Sequence, residues 1–512
     1  MNHMLKIGLG AGFAIVVAFY VHKTMGGMPH GGFLVLAAVF GAYMAMNIGA
    51  NDVANNVGPA VGAGALSIGG AILVASIFEA AGALIAGGDV VGTIKEDIID
   101  PAVFGDNSSM FVYAMSAALL AAALWLNLAT WMKAPVSTTH SIVGGVVGAG
   151  IAAGGLSVVS WGTMGGIVAS WVISPVLGGV IAAGFLYIIK SKILYKEDKL
   201  TAAKKVIPLL VAIMVAAFVT YLTLKGLKHV WKDLVGAVSF LPQSDKPSFS
   251  LALIFGFIGG VVTYIAVKPR VAMKIAGMND DRSDLNLLFT LPLVFAAALL
   301  SFAHGANDVA NAVGPLAAIY DAMTHAVVSQ KAAIPLWVMV VGGLGISIGL
   351  ALFGPRLIRT VGTEITELDQ MRAFSIMMAA AITVVVASQL GLPVSSTHIA
   401  VGAVFGVGFL REWLDSQNMK EKQKVLFVEV EKHRMLKEKL EVLTHEEYKD
   451  RIELLGEIKA QKKKVKKIKN ILRENYVKRG MIKKIIAAWV ITVPAAAILS
   501  AIIFYVLKGM GA

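Results

Sequence analysis

Gly49 to Asn55 reads GANDVAN, and Gly305 to Asn311 reads GANDVAN again. Each copy runs on into Val-Gly-Pro, at Val57 to Pro59 and at Val313 to Pro315. Farther along, Ala129, Thr130 and the run PVSTTH from Pro135 to His140 are answered by Ala387, Ser388 and PVSSTH from Pro393 to His398. Two different motifs repeated in the same order at nearly the same spacing mark an internal duplication. What flanks the copies decides the fold class.

Both copies lie among long apolar runs. Of 512 residues 57% are hydrophobic and only 15% charged, where a soluble domain carries about 25% charged residues. Crossing a bilayer takes roughly 20 apolar residues per helix. Thirteen stretches qualify or nearly so, at 5–22, 32–50, 68–88, 109–131, 140–158, 161–190, 205–224, 248–267, 287–303, 333–354, 373–391, 398–411 and 486–508. The expected class is an all-α integral membrane protein, and the 53 glycines suit close helix packing in lipid. The net charge of +13 sits in loops between spans and in one late segment, so it argues for membrane topology rather than nucleic-acid binding. With no cysteine there is no disulfide and no thiolate metal site. No phosphate-binding P-loop, HExxH or convincing nucleophile elbow is present, so no enzyme is expected.

Basic loops set the orientation. Lys192, Lys196, Lys199, Lys204 and Lys205 mark one cytoplasmic connection, Lys268, Arg270 and Lys274 a second, and Arg356 with Arg359 a third. The loop from Asp89 to Asn107, with Glu96, Asp97, Asp100 and Asp106 against Lys95, belongs outside. The first span reads as a retained helix, because His22 to Met25 offers no small-residue cleavage pattern. On this topology the spans entering the two GANDVAN copies run in opposite directions. The chain divides into an extra N-terminal helix (1–31), a first inverted repeat (32–190), connecting helices (191–286), a second inverted repeat (287–411), a charged cytoplasmic helical insertion (412–484) and a C-terminal span (485–512). The insertion reads as two amphipathic helices in a hairpin, with a capping box at Thr444 and Glu447. Six lysines from Lys462 to Lys469 form either a solvated face or a contact for anionic headgroups. The N-terminus and the insertion are placed in the cytoplasm, and the protein in the plasma (inner) membrane.

Inverted repeats with broken helices and re-entrant hairpins are how many secondary transporters build one midplane site. Asp52 and Asp308 beside apolar helices each need a partner. No Lys or Arg lies in either motif, so that partner is expected to be a bound cation or a proton. Asn51, Asn55, Asn307 and Asn311 add hard amide oxygens, and the flanking Gly49 and Pro59 suit a helix that unwinds there. The Ser and Thr of each Pro-Val-Ser run, at a new helix start, make an anion cradle or simply a helix cap. His140 and His398 lie just inside those starts and suit proton relay or helix packing equally well.

At these residues, over about 32–411, the chain resembles the inorganic phosphate transporter (PiT) family, and Ser76-Ile-Phe-Glu79 resembles its sodium-coupled branch. The resemblance implies a symporter importing phosphate with sodium, or with protons, as coupling ion and no other cofactor. It implies phosphate binding by Asn51, Asn307, Ser137, Thr138, Thr139, Ser395, Ser396 and Thr397. It implies cation binding by Asp52, Asn55, Asp308, Asn311 and Glu79, with sodium at Asp52 and Asp308. Glu79 has no acidic counterpart in Gly345 to Gly349, and the charged insertion follows the second repeat instead of separating the two. Sulfate transport and a receptor or scaffold role are the alternatives, and the glycine-rich spans permit a homodimer.

Overall fold

In hydrocarbon every backbone N–H and C=O must find its partner inside the structure, which leaves the helix as the solution for a single apolar segment. The computed structural model describes residues 3–28, 31–104, 108–132, 134, 136–228, 230–238, 241–325, 334–358, 368–442, 448–473 and 479–511. Among these its regular elements are helices joined by turns, and β pairing is limited to an isolated bridge between Ile99 and Val159. The helices are α1 (His3–Met25), α2 (Gly31–Gly62), α3 (Ile68–Ala86), α4 (Gly88–Gly92), α5 (Ser108–Trp131), α6 (Thr138–Gly154), α7 (Trp161–Ile189), α8 (Lys199–Gly226) and α9 (Trp231–Ala237). They continue as α10 (Phe249–Ile275), α11 (Arg282–Leu287), α12 (Thr290–Asp308), α13 (Ala310–His325), α14 (Leu336–Phe353), α15 (Gln370–Gln389), α16 (Ser396–Val442), α17 (Tyr448–Arg473) and α18 (Arg479–Gly511). Arg359, Asp106, Asn107, Pro135, Thr444 and Glu447 lie outside the described residues.

Eleven stretches among the described residues are long and apolar enough to cross a membrane. Two of the thirteen expected stretches are not among these eleven. The stretch 140–158 becomes the 17-residue α6, which is stopped at Gly155 by a backbone turn with φ 81, and 398–411 becomes the start of the 47-residue α16. The expected unwinding at the first motif is also absent: GANDVAN lies inside continuous α2, with Pro59 near its end. The second copy is interrupted at the single residue Val309, between α12 and α13.

The chain forms two compact units, residues 1–406 with 480–512, and residues 407–479. In the first, α2 crosses α14 and α12 crosses α3. These crossings explain the motif glycine. A Cβ on Gly49 would collide with the Ile346 carbonyl, and one on Gly305 with the Glu79 carbonyl. Gly349 and Gly82 return the contact, against the carbonyls of Met46 and Phe302. The helices thus touch backbone to backbone, as small residues permit, and Gly49 makes room for a neighbour instead of loosening its own helix.

Contacts of one copy recur in the other. Gly144 and Gly148 of α6 pack on Val493 and Ala497 of α18, while Gly402 and Gly406 of α16 pack on Pro175 and Gly179 of α7. The last helix of the chain therefore stands to the first copy as α7 stands to the second.

In the second unit α17 folds back along α16. Glu429 pairs with Lys464 at 2.7 Å and its side chain accepts from Gln461, while Met435, Glu438 and Val442 lie near Asp450, Glu453 and Leu454. The partners run in opposite order, so the two helices are antiparallel, as a hairpin requires.

Candidate functional site

The two GANDVAN copies meet the two Pro-Val-Ser tips at one place. After α5, the turn before α6 is fixed by Ser137, whose Oγ accepts from the His140 N–H at 3.1 Å. After α15, Ser395 Oγ accepts from the His398 N–H at 3.2 Å. Both serines are N-caps, satisfying donors that a helix start leaves open. The adjoining residues point at the carboxylates. Thr138 Oγ1 lies 2.8 Å from Asp52 Oδ2 and 3.2 Å from Asp308 Oδ2. Thr397 Oγ1 lies 3.2 Å from Asp52 Oδ1, and Ser396 Oγ 3.4 Å from Asp308 Oδ2. One threonine from the first tip thus touches an aspartate from each copy.

The asparagines tie the assembly crosswise. Asn55 Nδ2 donates to Thr397 of the second tip at 2.8 Å, and Asn311 Nδ2 to Thr139 of the first at 3.3 Å. Within each copy, Asn51 is hydrogen-bonded to Thr130 at 3.0 Å and Asn307 to Ser388 at 3.0 Å. Thr139 Oγ1 donates to the Val394 carbonyl at 2.9 Å, and Thr397 reaches the equivalent Val136 carbonyl at 3.5 Å. All the candidate residues named from the sequence are buried and gathered here, Glu79 included.

The aspartates also have a side-chain neighbour that lies outside the GANDVAN motifs. His304, fully buried, lies with Nε2 3.0 Å from Asp308 Oδ2 and 3.7 Å from Asp52 Oδ2, and with Nδ1 3.5 Å from Glu79 Oε2. Its ring stands close to three carboxylates, without the alignment of a hydrogen bond. A signal was present: His304 directly precedes the second GAND, where Ile48 precedes the first. The histidines of the two tips pack. His140 and His398 meet edge to face at 4.3 Å, and their outer faces lie on Trp171 at 3.8 Å and Trp489 at 3.5 Å.

The site is rich in acceptors. Glu79 Oε2, Asn56 Oδ1, Asn307 Oδ1, Asp308 Oδ1 and Asn311 Oδ1 are buried with no hydrogen-bond partner among the described residues. Facing atoms of Asp52, His304 and Asp308 lie within 4.8 Å of one another. Two ionised carboxylates at that distance repel by about 3–4 kcal/mol at an effective dielectric near 20. Hard anionic and amide oxygens in such a set match a small cation.

The sequence profile of the phosphate transporter family matches residues 48–500. A Helicobacter pylori (strain J99) protein named "Putative phosphate permease" is 48% identical over 98% of this chain and 95% of its own length. A Pyrococcus abyssi protein of the same description is 39% identical over 74% of this chain and 89% of its own. Among solved structures, "The sodium-dependent phosphate transporter" superposes with a TM-score of 0.74 at 31% identity, covering 93% of this chain and 99% of that one. With eleven candidate spans and a profile match across most of its length, this chain is a multi-pass integral membrane protein and belongs to the phosphate transporter family.

Proposed function

We propose that the protein is a secondary active symporter that imports inorganic phosphate coupled to a cation gradient, with sodium the favoured ion and the proton the other. The observation that carries this reading is the convergence of Asp52 and Asp308 on Thr138, at the seam of the two copies. The name of the solved neighbour, a sodium-dependent phosphate transporter, supports sodium.

Charge dictates the order of events. Asp52, Asp308 and Glu79 contribute three negative charges, and His304 at most one positive, leaving the cluster at −2 or −3. A phosphate anion cannot join that cluster unaided. Two monovalent cations bring it to neutrality or near it, so cation binding precedes or accompanies phosphate binding. With two sodium ions and one dihydrogen phosphate the net movement is +1, driven inward by about 2.3 kcal/mol per 100 mV. Asp52, Asp308, Asn55, Asn311 and Glu79 are the cation ligands. Thr138, Thr139, Ser396 and Thr397 offer hydroxyls to phosphate, with Asn51 and Asn307 beside them, while Ser137 and Ser395 set the tips through their caps.

The two repeats are inverted in this reading, and rocking about their seam exposes the site to one side and then the other. The N-terminus and the 412–484 hairpin lie in the cytoplasm, below a plasma (inner) membrane. Replacing Asp52 or Asp308 by Asn tests the mechanism in proteoliposomes: labelled-phosphate uptake falls at least about tenfold in each variant, because each removes one charge-assisted ligand. Wild-type uptake in both would remove the carboxylates from the mechanism. Excess unlabelled sulfate leaves uptake intact if phosphate is the cargo, and competes as well as unlabelled phosphate if it is not.

A further inference from the structure

Three positions break the pairing that the rest of the site obeys. His304 stands before the second GAND, where the first copy has Ile48. Asn56 follows Asn55, where Ala312 follows Asn311. The third pair is set by the helix crossings: Gly305 lies against the backbone of Glu79 as Gly49 lies against that of Ile346. On one side the three residues are His, Asn and Glu; on the other they are Ile, Ala and Ile. All six are buried.

The three polar members touch. Asn56 Nδ2 donates to Glu79 Oε1 at 2.8 Å, and Glu79 Oε2 lies 3.5 Å from His304 Nδ1. One amide therefore holds one carboxylate oxygen and fixes the direction of the other. That second oxygen, buried and without a hydrogen-bond partner among the described residues, is turned toward the ring that contacts Asp52 and Asp308. A buried carboxylate oxygen left open is costly unless something positive meets it. At the pseudo-equivalent positions Ile48, Ile346 and Ala312 carry no side-chain oxygen.

We propose that Asn56 is a positioning residue of the coupling-cation site: by holding Glu79 Oε1 it presents Glu79 Oε2 to a monovalent cation at the Asp52–Asp308 cluster. The inference rests on the symport reading and adds to it a residue. Asn56 acts through Glu79, by presenting Oε2. Asn56→Ala places in the first copy the residue that the second copy already has.

The test is phosphate uptake by the full chain in proteoliposomes, with sodium and phosphate titrated separately. Asn56→Ala raises the apparent KM for sodium about tenfold or more, while the KM for phosphate at saturating sodium stays within about twofold. Asn56→Ser, which keeps a donor, retains most of the wild-type sodium affinity and guards against a folding failure of the first variant. Ile346→Ala, at the position pseudo-equivalent to Glu79, leaves the sodium KM unchanged. Equal sodium affinity in wild type and Asn56→Ala overturns the inference, as does a parallel rise in both KM values. Wild-type uptake that ignores sodium but follows a proton gradient overturns the inference and leaves the symport reading standing. Uptake that ignores both gradients overturns the symport reading and this inference with it.

Discussion

Thr138→Val removes one hydroxyl and keeps the shape of the side chain. That hydroxyl lies 2.8 Å from Asp52 Oδ2 and 3.2 Å from Asp308 Oδ2, in a buried setting. It carries a single proton, so it donates to one carboxylate at a time, and the two aspartates share a donor that neither fully owns. A hydrogen bond to a charged group contributes about 1.5–3 kcal/mol, and 1.4 kcal/mol is tenfold in an equilibrium constant. Loss of the bond therefore lowers initial uptake about tenfold to a hundredfold, whether the hydroxyl serves the carboxylates or turns to phosphate during transport. Thr138→Ser keeps the donor and recovers most of the rate. The assay is initial labelled-phosphate uptake into proteoliposomes under an inward sodium gradient, normalised to protein incorporated. Thr138→Val at wild-type rate would show that this hydroxyl does not couple the two aspartates, and the argument from their convergence would fail.

Away from the site, Lys95 and Asp321 pair at 3.3 Å with each side chain only 2% exposed. Asp321→Asn removes the carboxylate from a buried ion pair and costs up to about 3–5 kcal/mol, whereas the double replacement Lys95→Met with Asp321→Leu restores most of that stability; thermal unfolding in detergent distinguishes the two. Asp89, in α4, faces Lys225 and Lys228, the latter at 3.0 Å. Burial pushes its carboxyl up, but the hydrogen bonds of both lysines outweigh burial and hold it below its ordinary 3.8. Because the folded value is the lower one, its stabilisation is complete above the unfolded value and is lost as pH falls through the folded value. Unfolding midpoints measured from pH 7 down to pH 3 therefore keep this contribution to about pH 4 and lose it below, and Asp89→Asn removes it throughout.

The doubled motifs carried most of the site, because two copies in fixed order demand a common structural reason. They located Asp52, Asp308, the four asparagines and both hydroxyl-bearing tips. What they did not show lies where the copies differ. His304 and Asn56 stand next to the shared residues but outside them, and a lone polar residue beside a motif is a weak signal until its neighbours are known. Comparing Ile48 with His304, and Asn56 with Ala312, makes that signal visible. Glu79 was legible only through its family resemblance, since no spacing rule ties α3 to α12; the crossing at Gly305 does. The expected unwinding at Gly49 misread the glycine, whose missing side chain admits the Ile346 carbonyl. Ser137 and Ser395 read equally as ligand or cap, and each accepts the N–H bond of a helix cap.

The most direct measurement reconstitutes the full chain in sealed vesicles and follows labelled phosphate while the sodium gradient, the pH gradient and the voltage are imposed one at a time. The account predicts accumulation above equilibrium under an inward cation gradient, strengthened by an inside-negative potential. Phosphate that equilibrates at the same rate and to the same level with no gradient at all would contradict it.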